Sequence, residues 1–200
     1  MSRTIIIGLT GSIGMGKSPV AAMFADENVP VFDADAAVHD LQKAGGALVP
    51  IIELAFPGTT GADGVDRKAL GAAVFGDRDR LALLESIIHP AVAERRKLFL
   101  ASHQDADIIL FDIPLLYETH SQHQFDAVAC VYISPEEQRR RVMDRGTMTA
   151  AQLDYILSKQ MPIAKKRELS HYQIKTDSLV YVMAQVSVIL ADIREQVVDA

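Results

Sequence analysis

At 200 residues, 49% of them hydrophobic and 23% charged, the chain has the length and composition of one mid-sized globular domain with a substantial core. Its net charge of −6 argues against broad nucleic-acid binding, which relies on a basic face, so any anion site must gather its positive charge locally. The one cysteine, Cys130, excludes an internal disulfide and fits a reducing, cytoplasmic setting. No apolar run approaches the ~18 residues of a membrane span, and the opening MSRTIIIGLTG is too short for a signal-peptide apolar region.

In chain order, residues 4–9 (TIIIGL) form a short β-branched run that ends in glycine and predicts a buried strand. Residues 20–26 (VAAMFAD) have a helical pattern. A second strand is expected over 29–35 (VPVFDAD), ending in two aspartates. The stretch 36–103 reads as mostly helical, punctuated by Gly45-Gly46, by PGTTGADG at 57–64 and by Pro90, which marks a helix break. Residues 107–111 (DIILF) and 127–133 (AVACVYI) predict two more apolar strands. SPEEQRRRVMDR, 134–145, opens with an N-cap serine, a proline at the first helical position and first-turn glutamates. A Thr-capped helix follows from Thr149 to Lys159. HYQIKT, 171–176, predicts an edge strand, and 178–193 a closing amphipathic helix. Apolar strands alternating with helices indicate an α/β fold with a parallel central sheet.

The motif that carries chemistry lies between the first strand and the first helix. Gly11-Ser-Ile-Gly-Met-Gly16-Lys17-Ser18 matches G-x-x-x-x-G-K-[ST]. Its glycines allow the backbone N–H groups to wrap a phosphate at a helix N-terminus. Lys17 is expected to reach the β- and γ-phosphates and the Ser18 hydroxyl to ligate Mg²⁺. The guanine-reading N-K-x-D is missing, which leaves a small-molecule kinase using ATP as the best reading of a single domain of this size.

Further candidates sit at predicted strand ends, where parallel α/β sheets bind ligands. A carboxylate at Asp33 or Asp35 could orient or deprotonate an attacking hydroxyl, or cap the next helix. Asp35 is assigned to chemistry, and Asp33 to capping or a Mg²⁺-bound water. Asp112 ends the strand of DIILF as a metal-binding aspartate would, or is a turn residue. The apolar step Pro114-Leu115-Leu116 could hold the acceptor's base or ribose. Eight of the 20 basic residues fall between Arg139 and Arg167. Arg141 and Arg145, four apart, share a helix face that could close over a triphosphate; Arg139, Arg140 and the Lys165–Arg167 run are left as solvated charge. His39, one turn past Asp35, could touch substrate. His89 reads as structural, His120 and His123 as loop residues, and Cys130 as core.

LTGSIGMGKS, the VFDAD strand end, IIHP (87–90), DIPLLYE (112–118), SPEEQRRRVMDR, SKQMP (158–162) and KKR (165–167) together resemble the dephospho-CoA kinase family, in order, from about residue 5 to 176. The resemblance implies a P-loop nucleotide-kinase core of three α/β/α layers, with a five-stranded parallel sheet, a helical acceptor region and a lid. The core would span 1–35, 104–138 and 170–200, the acceptor region 36–103 and the lid 139–167. It implies ATP- and Mg²⁺-dependent phosphorylation of the ribose 3′-hydroxyl of dephospho-CoA, the last step of coenzyme A synthesis. Asp35 would be the catalytic base, with Lys17, Thr10 and Arg141 close to the reaction. Gly11, Gly14, Met15, Gly16, Lys17, Ser18, Pro19 and Arg145 would hold ATP. Asp33, Asp35, His39, His89, Leu115, Leu116 and Glu118 would hold the acceptor, and Ser18 and Asp112 the metal. The expected assembly is a monomer or small homo-oligomer with no nucleic-acid or membrane partner.

Two segments depart from the family pattern. Pro19 stands where the family has a threonine, and residue 19 normally gives a backbone N–H to the α-phosphate. Proline gives none, and it biases Ser18 away from helical dihedrals. Ser170-His171-Tyr172-Gln173-Ile174-Lys175 replaces an A-D-x-V-I-D-type segment that lies near the adenine. The expectation is a working kinase with a raised KM for ATP; the alternatives are a catalytically weakened nucleotide-binding protein and a nucleoside monophosphate or shikimate-type kinase.

Overall fold

The computed structural model describes residues 3–198. It divides into two compact units, one of residues up to Phe32 together with those from His103 on, the other Asp33–Ser102.

The first unit is built on a five-stranded parallel sheet of order β2-β5-β1-β6-β7. Its strands are β1 (Ile5–Thr10), β2 (Val31–Asp33), β5 (Ile108–Asp112), β6 (Ala127–Tyr132) and β7 (Tyr172–Lys175). β1 lies between β5 and β6 and is parallel to both, Leu9 opposite Asp112 and Thr10 opposite Cys130. The three middle strands are almost wholly buried because both faces are covered, which is why they read as continuous apolar runs. One face carries α1 (Lys17–Asp26) and α9 (Leu179–Val198): Val20, Ala21 and Phe24 meet Val182, Val186, Ile189 and Leu190 over Ile7, Leu9, Leu110 and Val131. On the other face Gly8 lies under Leu116 and Phe125, and α8 (Ile163–Leu169) packs on β6. α6 (Pro135–Asp144) and α7 (Ala150–Lys159) complete the unit. Both start as their capping residues direct: the Ser134 hydroxyl accepts from Glu137 N–H at 3.2 Å, and Thr149 forms a reciprocal capping box with Gln152. Among the described residues no helix is long and apolar enough to cross a membrane.

The second unit holds α2 (Ala34–Gln42), α3 (Val49–Ala55), α4 (Arg67–Val74) and α5 (Arg78–Ser102). Leu41, Leu48, Ile52, Phe56, Leu70 and Leu84 form its core.

Several elements differ from the sequence reading. The first helix starts at Lys17, not residue 20, and takes Ser18 and Pro19 into its first turn. Ser18 therefore keeps helical backbone despite the proline after it: at these positions the amides have no intrahelical partner to lose. The second strand stops at Asp33, and Ala34 and Asp35 belong to α2. Residues 57–64, expected as punctuation only, contribute to a small antiparallel hairpin of β3 (Thr60–Gly61) and β4 (Gly64–Val65). The break expected at Pro90 is absent, and α5 runs through it for 25 residues. Ile87, Ile88, Ala91 and Val92, on either side of the proline, are partly buried against the unit's core, and that burial offsets the ~3 kcal/mol an interior proline costs.

Candidate active site

The phosphate loop leaves β1 at Thr10 and enters α1 at Lys17. Gly14 and Gly16 have φ of 76° and 83°, a left-handed backbone that glycine adopts without strain. Their positive φ turns the chain so that the loop closes on the helix N-terminus, where unpaired N–H groups and the helix dipole favour an anion. Lys17 Nζ donates to Asp112 Oδ1, at the end of the neighbouring strand β5. The expected phosphate ligand and the expected metal ligand are thus adjacent, and Ser18 follows at the exposed start of α1.

The loop is held from three sides. Gln138, buried on α6, donates its Nε2 to the Ile13 carbonyl at 2.6 Å. Gln160, just past α7, accepts the Ile13 N–H at 3.3 Å. Thr176, just past β7, donates its hydroxyl to the Met15 carbonyl at 2.7 Å. Met15 is itself buried, with its sulfur 3.1 Å from Ile133 N. The Thr10 hydroxyl, fully buried, donates to the Pro114 carbonyl at 3.2 Å.

Beside the loop lies a cavity of about 170 Å³. Gly16, Pro19, Val20 and Met23 line one side and Arg141 and Thr176–Leu179 the other. Arg141 is fixed there by its own bonds: Nη2 donates to the Thr176 carbonyl at 2.6 Å and Nε to Glu137 at 2.8 Å. Arg140 also binds Glu137, at 2.7 Å, and the two guanidiniums hold that carboxyl at about 2. Arg145 is different. It caps the end of α6 with helical backbone, one turn past Arg141, and is exposed outside the residues that line this cavity.

The remaining candidates separate by environment. Leu115 is exposed, whereas Leu116 is fully buried against the sheet; the expectation that Leu116 offers a surface to the acceptor is corrected to a core role. Glu118 is part-buried, with Oε1 bound to Lys166 Nζ at 2.8 Å and to Met161 N–H at 2.8 Å. In the second unit Asp33 caps α2, accepting the Ala36 N–H at 2.9 Å. Asp35 stands exposed in the first turn of that helix, without the capping task. His39 Nδ1 lies 3.0 Å from Arg67 Nη2, and His89 is exposed on α5. His120 and His123 lie in a loop and a short 3₁₀ turn.

The KKR run, set aside as solvated charge, splits three ways. Lys165 is exposed, Lys166 fully buried, and Arg167 stacks on the Tyr132 ring at 3.8 Å. The sequence reading passed over Gln138, Gln160, Thr176 and Lys166. Gln138 was within reach, because it lies three and four residues before Arg141 and Val142 on one helix face. Thr176 closes a predicted strand at the ligand-binding end. Gln160 and Lys166 fall within the SKQMP and KKR motifs, but nothing in their local pattern marks one for the phosphate loop or the other for burial.

The family model described as dephospho-CoA kinase matches residues 5–181. A dephospho-CoA kinase from Novosphingobium aromaticivorans is 51% identical over 197 residues, covering 98% of each chain. The crystal structure of TT1252 from Thermus thermophilus superposes with a TM-score of 0.83 at 31% identity, over 95% of this chain and 98% of that one. A dephospho-CoA kinase from Campylobacter jejuni shares the fold, with a TM-score of 0.65 at 21% identity over 95% and 97% of the two chains.

Proposed function

The chain belongs to the dephospho-CoA kinase family, and from that premise we propose how its own residues carry out the ATP-dependent phosphorylation of dephospho-CoA. The observation that carries the proposal is the loop of residues 11–18, closed on the N-terminus of α1 with Lys17 beside Asp112. The loop amides and Lys17 hold the ATP phosphates. Arg141, pinned by Thr176 and Glu137, presents a guanidinium that needs no reorganisation as charge shifts toward the leaving group. The cavity beyond it takes the nucleoside, with Pro19, Val20, Met23, Leu179 and Val182 as apolar walls.

Asp35 takes the proton of the attacking ribose 3′-hydroxyl. Asp33 is occupied as the α2 cap, which leaves Asp35 as the carboxylate for chemistry. His39, His89 and Leu115 are proposed as acceptor contacts. Mg²⁺ binds hard oxygen ligands, commonly one or two from protein and the rest from phosphate and water. Ser18 and Asp112 supply that donor set, and Mg²⁺ bound there would neutralise phosphate charge. Pro19, exposed at the cavity wall, gives no N–H to the α-phosphate, so the KM for ATP is raised.

The test is direct. Purified protein with Mg-ATP and 3′-dephospho-CoA should yield CoA by liquid chromatography, and Lys17→Ala should lose about 10²–10³ in kcat. Folded protein that makes no CoA at any ATP concentration would refute the proposal.

A further inference from the structure

Among the described residues Lys166 is the only fully buried lysine, with no exposed surface. Burial on that scale requires a partner, and the partners it has are informative. Its Nζ lies 2.8 Å from Glu118 Oε1 and donates to the Pro114 carbonyl at 3.3 Å. The Pro114 carbonyl also accepts the Thr10 hydroxyl at the end of β1. Glu118 Oε1 also accepts the Met161 N–H, and the preceding residue, Gln160, binds the Ile13 N–H of the phosphate loop. One ammonium on α8 therefore ties together the turn after β5, the α7–α8 connection and, through each of these, the two ends of the phosphate loop's first half.

We infer that Lys166, paired with Glu118, is a positioning residue for phosphoryl transfer: it touches no substrate and fixes Thr10 and Ile13 through Pro114, Met161 and Gln160. This rests on the kinase reading above. It also changes the role expected of Glu118, whose bonded oxygen is committed inward and not to the acceptor. A purely stabilising pair would change kcat and Tm together.

Lys166→Met leaves the Glu118 carboxylate buried without its cation, and should lower Tm by on the order of 10 °C. Lys166→Met/Glu118→Gln removes both charges, while the amide oxygen still accepts the Met161 N–H. Neutral replacement of a buried pair commonly restores stability, so Tm should return to within about 5 °C of the parent. The positioning role predicts that kcat nevertheless stays about 10- to 100-fold low in the double variant, with KM for ATP within about threefold, because small misplacement near reacting groups is costly. A double variant that regains parental kcat along with its Tm would overturn the inference, as would Lys166→Met with parental kcat. Should the double variant not fold, Gln160→Ala decides, since it leaves the buried pair whole. A roughly tenfold loss of kcat at parental Tm supports the chain of contacts, and parental kcat overturns it. A parent that makes no CoA would instead refute the function itself.

Discussion

Replacing Pro19 with threonine should tighten ATP binding and slightly weaken the fold. Pro19 is the third residue of α1 and lines the cavity beside Gly16, Arg141 and Thr176. The first bond of the helix runs from Val20 N–H to the Gly16 carbonyl, so an amide at residue 19 would have no intrahelical partner and would be free for a phosphate oxygen. One charge-assisted hydrogen bond contributes about 1.5–3 kcal/mol, or on the order of 10- to 100-fold in affinity. Against this, losing the proline returns entropy to the unfolded chain, about 0.4–1 kcal/mol, which lowers Tm by about 1–4 °C at this size. The assay is initial-rate CoA formation with ATP varied, alongside thermal unfolding. Pro19→Ala restores the amide without the hydroxyl and divides the gain between them. If the KM for ATP is unchanged or higher in both variants, the argument from the missing N–H is wrong.

Three further outcomes are expected. Asp35→Asn should lower kcat by about 10²–10⁴, the range of general-base catalysis, with KM for ATP within about threefold; a smaller loss in steady-state assays would move the base elsewhere. Cys130 is buried and its thiol is pushed up to about 11, so at pH 8 only about one part in a thousand is thiolate; a disulfide reagent should label the denatured chain once and the native chain hardly at all. Glu137, held at about 2 by its hydrogen bonds from Arg140 and Arg141, has a folded value below its ordinary one. Its interaction is therefore complete above the usual carboxylate range and lost only as pH falls toward 2. Glu137→Gln should raise the KM for ATP by the same factor at every pH from 6 to 9, and a factor that varies with pH would count against that assignment.

The strands, the phosphate loop and the capped helices are local matters, and residues close in sequence determined them. Three isoleucines ending in glycine make a buried strand, and Gly14 and Gly16 permit the turn that follows. Ser134 and Thr149 set where α6 and α7 begin, because a cap needs only the next three residues. The same local rules misjudged Pro90, where Ile87, Ile88, Ala91 and Val92, partly buried against the second unit's core, offset the proline's cost. They also could not separate Leu115 from Leu116, which differ only in which one turns under the sheet. The supports of the loop were beyond sequence for a plainer reason. Thr176 meets Met15 across 161 positions of chain and Gln160 meets Ile13 across 147, and such contacts exist only once β7 and α7 have packed. In the KKR run three like charges became a solvated lysine, a buried ion pair and a cation stacked on Tyr132. Charge alone gave each the same expectation; only packing decided how much water each would keep.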